Sequence, residues 1–265
     1  MNIPNHKSGN VLINQPYSMK IIRIKKVYFF FAAVLAFMVS LPVAFSTPKS
    51  FAYLRETKTN EKNFLVESSV SKIYDSLQLD RSGLSQAAFD YAVKGYEYLK
   101  AKGKIVNANV LSIVDFTKPS SKKRLFILDL KNYKVLFNTY VSHGQGSGAA
   151  MATQFSNLAE SHQSSLGFYT TSDTYIGKHG LSLHLQGMET GINDKALERA
   201  IVMHGAPYVC ESFVKARGYL GRSHGCPAIS EQLAKPIIEK IKNGSCLFIY
   251  SENNKYLNSS RIINS

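Results

Sequence analysis

The sequence predicts an α+β fold dominated by strands, a β-sandwich or open barrel with a few flanking helices. Three observations point there. Beyond Gly103 the spacing of apolar residues changes from three-and-four to two; the apolar segments are short and rich in β-branched and aromatic residues; and only two or three stretches keep helical spacing. The 265 residues, 45% hydrophobic and 19% charged, suffice for one globular domain with additions and exclude a disordered, collagen-like or many-pass membrane chain. Three cysteines exclude a small fold stapled by disulfides.

Residues 1–46 read as an export signal or an N-terminal anchor. They hold five basic residues (Lys7, Lys20, Arg23, Lys25, Lys26) and no acidic one, then an apolar run over residues 27–39, then Pro42 and small residues up to Ser46. Cleavage after Ser46 or Ala52 fits this pattern, with Met19 as an alternative start; uncut, residues 27–45 would just span a bilayer. Either way the chain beyond about residue 50 is expected outside the cytoplasmic membrane, in the periplasm or cell envelope, where nucleotide cofactors are absent and thiols tend to oxidise. The formal charge of +14 then loses its nucleic-acid meaning. Taking away the five cations of the signal leaves 27 basic against 18 acidic residues, or +9.

Residues 47–70 are polar and mixed in charge, a linker. Residues 71–105 form a helical segment. Phe89, Ala92, Val93, Tyr96 and Leu99 recur at helical steps between Ser85, a fair N-cap, and Gly103, a C-terminal stop, with a shorter helix around residues 71–79. Residues 106–251 then form the main domain. Strands are expected at residues 109–116, 124–130 and 133–142, the last two joined by a Lys131-Asn132 hairpin, and again at 166–171, 181–186, 200–204 and 245–251. One helix over residues 231–242 has Ser230 as N-cap and Gly244 just past its end. The tail, residues 252–265, is polar and expected to fray.

Six histidines follow the signal: His143, His162, His179, His184, His204 and His224. The densest candidate site is Gly221-Arg222-Ser223-His224-Gly225-Cys226-Pro227, where a glycine beside the cysteine lets the backbone turn sharply. A free thiol has a pKa of roughly 8.5, so a nucleophilic cysteine needs an imidazole nearby. No histidine follows Cys226 or Cys246, so the base must come from upstream. His204, at the end of a predicted buried strand, is the best candidate; taken alone it would read as a satisfied core histidine.

Four motifs together resemble a known family: Ser142-His143-Gly144-Gln145-Gly146-Ser147-Gly148, Ser164-Ser165-Leu166-Gly167, Ile201-Val202-Met203-His204-Gly205-Ala206, and Gly221-Arg222-Ser223-His224-Gly225-Cys226-Pro227-Ala228. In this order they are similar to the YkuD-like L,D-transpeptidase catalytic domain, murein L,D-transpeptidase subgroup, over residues 106–250. The resemblance implies a nucleophile at Cys226 and a general base at His204, with the Gly205 carbonyl fixing its tautomer. Backbone N–H groups around His224, Gly225 and Cys226 would form an oxyanion hole, and Ser223 and His224 would shape the loop. Arg222, His143, Ser165 and Tyr208 would line the substrate, a peptidoglycan stem peptide. No cofactor, metal or nucleic acid is implied, membrane contact is confined to an uncleaved N-terminus, and the protein is expected to be a monomer. Two departures are visible: a slightly long spacing between the His204 and Cys226 motifs, and Pro227-Ala228 after the cysteine, which moves the expected carboxylate-holding role to Arg222.

Rival readings remain at this point. Ser182-x-His184-x-x-Gly187 echoes part of a zinc peptidase motif, but Gly191 stands where its aspartate ligand should be. Gly144-x-Gly146-x-Gly148 lacks the Lys-Ser/Thr and the helix start that a phosphate loop needs. A non-catalytic wall-binding module is the third alternative. Cys210 and Cys246 either pair with each other or are buried small hydrophobes.

Overall fold

The computed structural model describes residues 72–265; the expected signal and linker lie outside them. Two short helical turns, residues 72–76 and Leu79–Ser82, lead into the long helix α1 (Gln86–Ala101). The Ser85 side chain caps α1 by accepting the Ala88 N–H at 3.2 Å, satisfying one of the donors that a helix start leaves unpaired. Phe89, Ala92, Tyr96 and Leu99 form its buried stripe. Gly95 lies on the same face because the Phe168 ring fills the space a side chain would need: a Cβ there would sit 2.0 Å from Phe168 Cζ.

Eight strands follow: β1 (Val110–Asp115), β2 (Leu125–Asp129), β3 (Lys134–Thr139), β4 (Gly167–Gly177), β5 (Gly180–Gly187), β6 (Val202–Gly205), β7 (Ala228–Ile229) and β8 (Cys246–Tyr250). They make one sheet in the order β3-β2-β1-β8-β4-β5-β6-β7. The β2–β3 hairpin turns where expected, its Asp129 carboxylate accepting the N–H groups of Lys131 (3.0 Å) and Asn132 (2.9 Å). Two pairs are parallel, β1 with β8 and β6 with β7; the others are antiparallel. β1, β2 and β8 are buried along their whole length and are apolar but for Ser112 and the strand-ending Asp115 and Asp129. Helix α1 packs on β1 and β8, and a helix from Glu231 to Ile241 packs on β1, β5 and β6.

The two edges of the sheet approach each other. Beyond β3 the chain runs to Ser142, whose N–H donates to the Ala228 carbonyl at 2.8 Å. Ser223 N–H donates to His143 O (3.0 Å) and Gln145 N–H to Ser223 O (2.8 Å). These bonds draw the β3 edge against the β7 edge, so the sheet is nearly closed into a barrel, and the seam is the loop that carries Cys226. Closure also removes most of the exposed edge that an open sheet would leave.

Three elements differ from the sequence expectation. A seven-residue helix, α2 (Glu211–Arg217), lies between β6 and β7, and β7 itself is only two residues long, too short to leave a periodic signal. Helix α3 is the expected Glu231–Ile241 segment. The tail does not fray. It forms α4 (Asn254–Ser259), capped by the Asn253 side chain, and buries Tyr256, Ile262 and Ile263 against the core. Its anchor is the buried Glu189 carboxylate, which accepts hydrogen bonds from the hydroxyls of Tyr256 (3.1 Å) and Ser260 and from the Phe168 N–H (2.8 Å). No described helix is long and apolar enough to cross a membrane.

Candidate active site

The ladder between β6 and β7 brings the two candidate reactive groups together. His204 pairs with Ala228 in parallel register, so Cys226, two residues before Ala228, arrives beside Val202, two residues before His204. The Val202 N–H indeed points at the Cys226 sulfur, 3.5 Å away. His204 and Cys226 thus lie two residues apart across the β6–β7 ladder. Both line a cavity of about 850 Å³, together with Lys178, Arg199, Tyr208 and Arg222.

His204 is 4% exposed, and its Nδ1 lies 2.8 Å from the Gly205 carbonyl. A carbonyl only accepts, so Nδ1 carries the proton and Nε2 keeps its lone pair. Burial pushes the imidazole pKa down; the Gly205 carbonyl works against this, while His179 and Lys178 add to it. The His179 ring stacks on His204 at 4.4 Å from the β4–β5 turn. Burial likewise pushes the Cys226 thiol up, opposed by the Val202 N–H and by Arg199. Burial thus favours the neutral form of each group.

The Cys226 loop is held from inside. Ser223 Oγ donates to the Cys226 carbonyl at 2.6 Å and accepts the Gly225 N–H at 3.1 Å. That bond corrects one expectation, because the Gly225 N–H is already committed to Ser223. Of the three N–H groups expected to form an oxyanion hole, those of His224 and Cys226 are left for that role. Gly225 has φ +125°, and a Cβ would stand 2.9 Å from the Gln163 carbonyl, so only glycine fits. The Ser164 hydroxyl, buried, donates to Gly225 O at 3.1 Å and accepts Gly144 N–H at 3.0 Å, tying the loop to the barrel seam. His224 stacks on His162 with ring centres 4.2 Å apart.

Of the four expected substrate residues, Arg222 and Tyr208 line the cavity. Arg222 Nη1 donates to Gly148 O at 3.0 Å, and Gly221 packs against Tyr208 so tightly that a Cβ would lie 2.4 Å from it. His143 and Ser165 do not face the cavity. His143 is fully buried: Arg124 Nη2 donates to its Nδ1 at 2.7 Å, and its Nε2 donates to Gly148 O at 3.2 Å. Burial and Arg124 push it down to about 4. Ser165 Oγ donates to Ser156 O and accepts from Arg199, so it positions that arginine instead.

Three residues of this site carried no sequence signal. Arg124, fully buried, spends its donors on Val141 O (3.1 Å), Lys118 O (2.9 Å) and His143, and lies over the Phe116 ring. Arg199 lies in a polar stretch with no motif, and His179 in a hairpin turn. The three cysteines are free: Cys246 is buried in β8, and Cys210 is partly exposed at the start of α2. His184, from the zinc-like motif, faces Asp173 at 3.2 Å and stacks on Tyr175. Among the described residues no cluster of three His, Cys, Asp or Glu is arranged to hold a metal.

A sequence model of the L,D-transpeptidase catalytic domain matches residues 80–250. No curated protein sequence matches the chain. Among solved structures it is similar to an L,D-transpeptidase from Mycobacterium smegmatis, at 15% identity over 54% of this chain and 59% of that one, with a TM-score of 0.34. It is also similar to an L,D-transpeptidase from Mycobacterium tuberculosis H37Rv (12% identity, 54% and 58% covered, TM-score 0.33). A third is the helical cell shape determining protein Pgp2 from Campylobacter jejuni (13% identity, 64% and 62% covered, TM-score 0.38). The chain thus covers less than two thirds of each of these proteins, and likenesses this slight add nothing about the site. The family match is different in kind, since it begins ahead of α1, runs through β8 and takes in the His204 and Cys226 motifs: the chain belongs to the L,D-transpeptidase catalytic-domain family.

Proposed function

We propose that the protein is a cysteine-dependent peptidoglycan L,D-transpeptidase. The observation that carries this reading is the free Nε2 of His204, its Nδ1 held by Gly205 O at 2.8 Å, in the same cavity as the Cys226 thiol. As sulfur attacks the carbonyl carbon of the third residue of a tetrapeptide stem, Nε2 takes the thiol proton. The tetrahedral intermediate, its oxyanion facing the N–H groups of His224 and Cys226, collapses with cleavage of the C–N bond. His204 returns the proton to the departing amine, the terminal D-Ala. A thioester on Cys226 remains. An amine of a second stem then attacks it and loses its proton to His204; the C–S bond breaks, and the proton goes back to sulfur. Water in place of the amine gives a carboxypeptidase.

The thioester keeps the acyl group activated, so a new amide forms without ATP, which suits an enzyme exported to the cell envelope. Because burial favours the neutral thiol and the neutral imidazole, proton transfer accompanies attack rather than preceding it as a stored ion pair. Lys178, Arg199 and Arg222 bring three cations to the cavity against the carboxylates of Glu160 and Glu198, and exposed Arg222, whose Nη1 is bound to Gly148 O, is the one placed to meet the carboxylates of stem peptides.

The test is incubation with a disaccharide-tetrapeptide followed by mass spectrometry. Crosslinked dimer with loss of D-Ala is expected, and a Cys226→Ala variant should give none. Hydrolysed tripeptide alone would make it a carboxypeptidase, and unchanged substrate would leave only a wall-binding module. A carbapenem should add covalently to Cys226 in the same assay format.

A further inference from the structure

The guanidinium of Arg199 stands against the nucleophile loop with no acid to neutralise it. It is half-buried and pinned by four hydrogen bonds: Nη1 donates to Ser156 O (2.8 Å) and Ser165 Oγ (2.6 Å), and Nη2 to Gln163 O (2.6 Å) and Ser161 Oγ (3.4 Å). Every acceptor is a carbonyl or a hydroxyl. Among the described residues, the ion pairs within 4 Å involve other groups. Nη2 lies only 3.3 Å from where a Cβ on Gly225 would stand, which sets the charge beneath the turn that immediately precedes Cys226. It also lines the catalytic cavity.

A half-buried cation without a counter-charge is a cost to the fold, and bridging carbonyls does not require one. We propose that Arg199 is a positioning residue for the reaction, whose fixed charge stabilises the negative charge that builds on the Cys226 sulfur and then on the carbonyl oxygen of the acyl donor. This rests on Cys226 being the nucleophile, and it holds whatever the donor is. The electrostatics run the right way: Arg199 pulls the thiol down against the effect of burial, and the thiolate in turn holds the proton on Arg199.

Other groups around the sulfur do not replace it. Lys178 acts in the same direction, but from an exposed turn on a flexible stem. Arg222 is exposed and bound to Gly148 O, and the rim residues Glu160 and Glu198 carry the opposite charge. His204 and Tyr208 rest neutral, since burial lowers the one and raises the other. The rings of His162, His179 and His224 are engaged in stacking. Arg199 is the cation held rigid.

The test reads the thiol directly. In a Cys210→Ser background, where Cys226 is the accessible thiol because Cys246 is buried, the rate of alkylation by iodoacetamide is followed against pH by intact mass. Arg199→Gln and Arg199→Met should move the midpoint of the Cys226 rate upward by about one pH unit, slowing alkylation about tenfold at pH 7. Arg199→Lys, which loses the fork of hydrogen bonds but keeps the charge, should restore most of the rate. An unmoved midpoint in Arg199→Gln, or equal shifts in the Lys and Gln variants, would overturn the proposal in favour of a purely structural role. If the Met variant does not fold, the Gln and Lys pair still decides. Since iodoacetamide replaces the stem peptide, failure of the transpeptidase reading would show in the muropeptide assay and not here.

Discussion

Two buried histidines flank the same loop and do opposite things. His204 meets a carbonyl at Nδ1, so its proton sits there and Nε2 faces the cavity with a free lone pair. His143 meets a guanidinium at Nδ1, so its proton sits on Nε2 and is given to Gly148 O. One neighbour decides each tautomer, and the tautomer separates a proton acceptor from a structural strut. The sequence assigned both to the site, His204 as the histidine upstream of the cysteine at the end of a strand and His143 through the motif that carries the family resemblance. A histidine becomes a base through what it is denied as much as through where it lies.

The contrast can be broken from either side. On the proposed mechanism His204→Gln should lower turnover by about a thousandfold or more, with the urea midpoint little changed. Purified variant protein assayed for thioester formation and unfolding checks both halves. Arg124→Met should do the reverse in kind. It leaves Val141 O, Lys118 O and His143 Nδ1 without a donor and costs about 4 kcal/mol of stability, read by denaturant unfolding. Activity should fall only as far as the seam loosens.

Acid separates the two rings again. His143 is held near 4 in the fold against 6.5 in the unfolded chain, so the native state binds fewer protons there. The stability it contributes is full above pH 6.5 and is lost as pH falls toward 4, about 3 kcal/mol in all. Glu189, raised by burial, acts in the opposite sense, favouring the fold as it protonates. The measurement is therefore the difference in unfolding free energy between wild type and His143→Gln across that range; a flat difference would contradict the assignment. For His204 the lowered pKa keeps the base neutral below pH 6.5, so the acid limb of the activity profile should lie below that value. The smallest effect expected is from Glu189→Gln, about 1 kcal/mol at pH 7, since the amide keeps part of the Tyr256 and Ser260 contacts while the desolvated charge is gone.

Much of the barrel was legible because its strands are short, apolar and bounded by turns, and because the Lys131-Asn132 turn and the Ser85 cap have local causes. The Cys226 and His204 motifs, which line one cavity, were legible as sequence. What escaped has non-local causes. β7 exists only because Ala228 and Ile229 meet β6, and two residues have no period. The tail looked polar along the sequence, yet Tyr256, Ile262 and Ile263, three of its four apolar residues, became its anchors. Arg199 and Arg124 look like any surface arginine until the chain folds around them. His143 shows that a glycine-flanked histidine in sequence does not reveal which of its nitrogens is spoken for.

The raised Cys226 thiol also bears on how long an enzyme of the proposed kind would last. Oxidants attack the thiolate, and sulfenic acid formation follows thiolate content and access. Both Cys226 and Cys210 are partly exposed, but desolvation raises the first thiol while the Ser212 hydroxyl chiefly lowers the second. In an oxidising compartment the damage would therefore begin at Cys210, a residue outside the proposed mechanism. The burial that makes the nucleophile reluctant also preserves it between substrates.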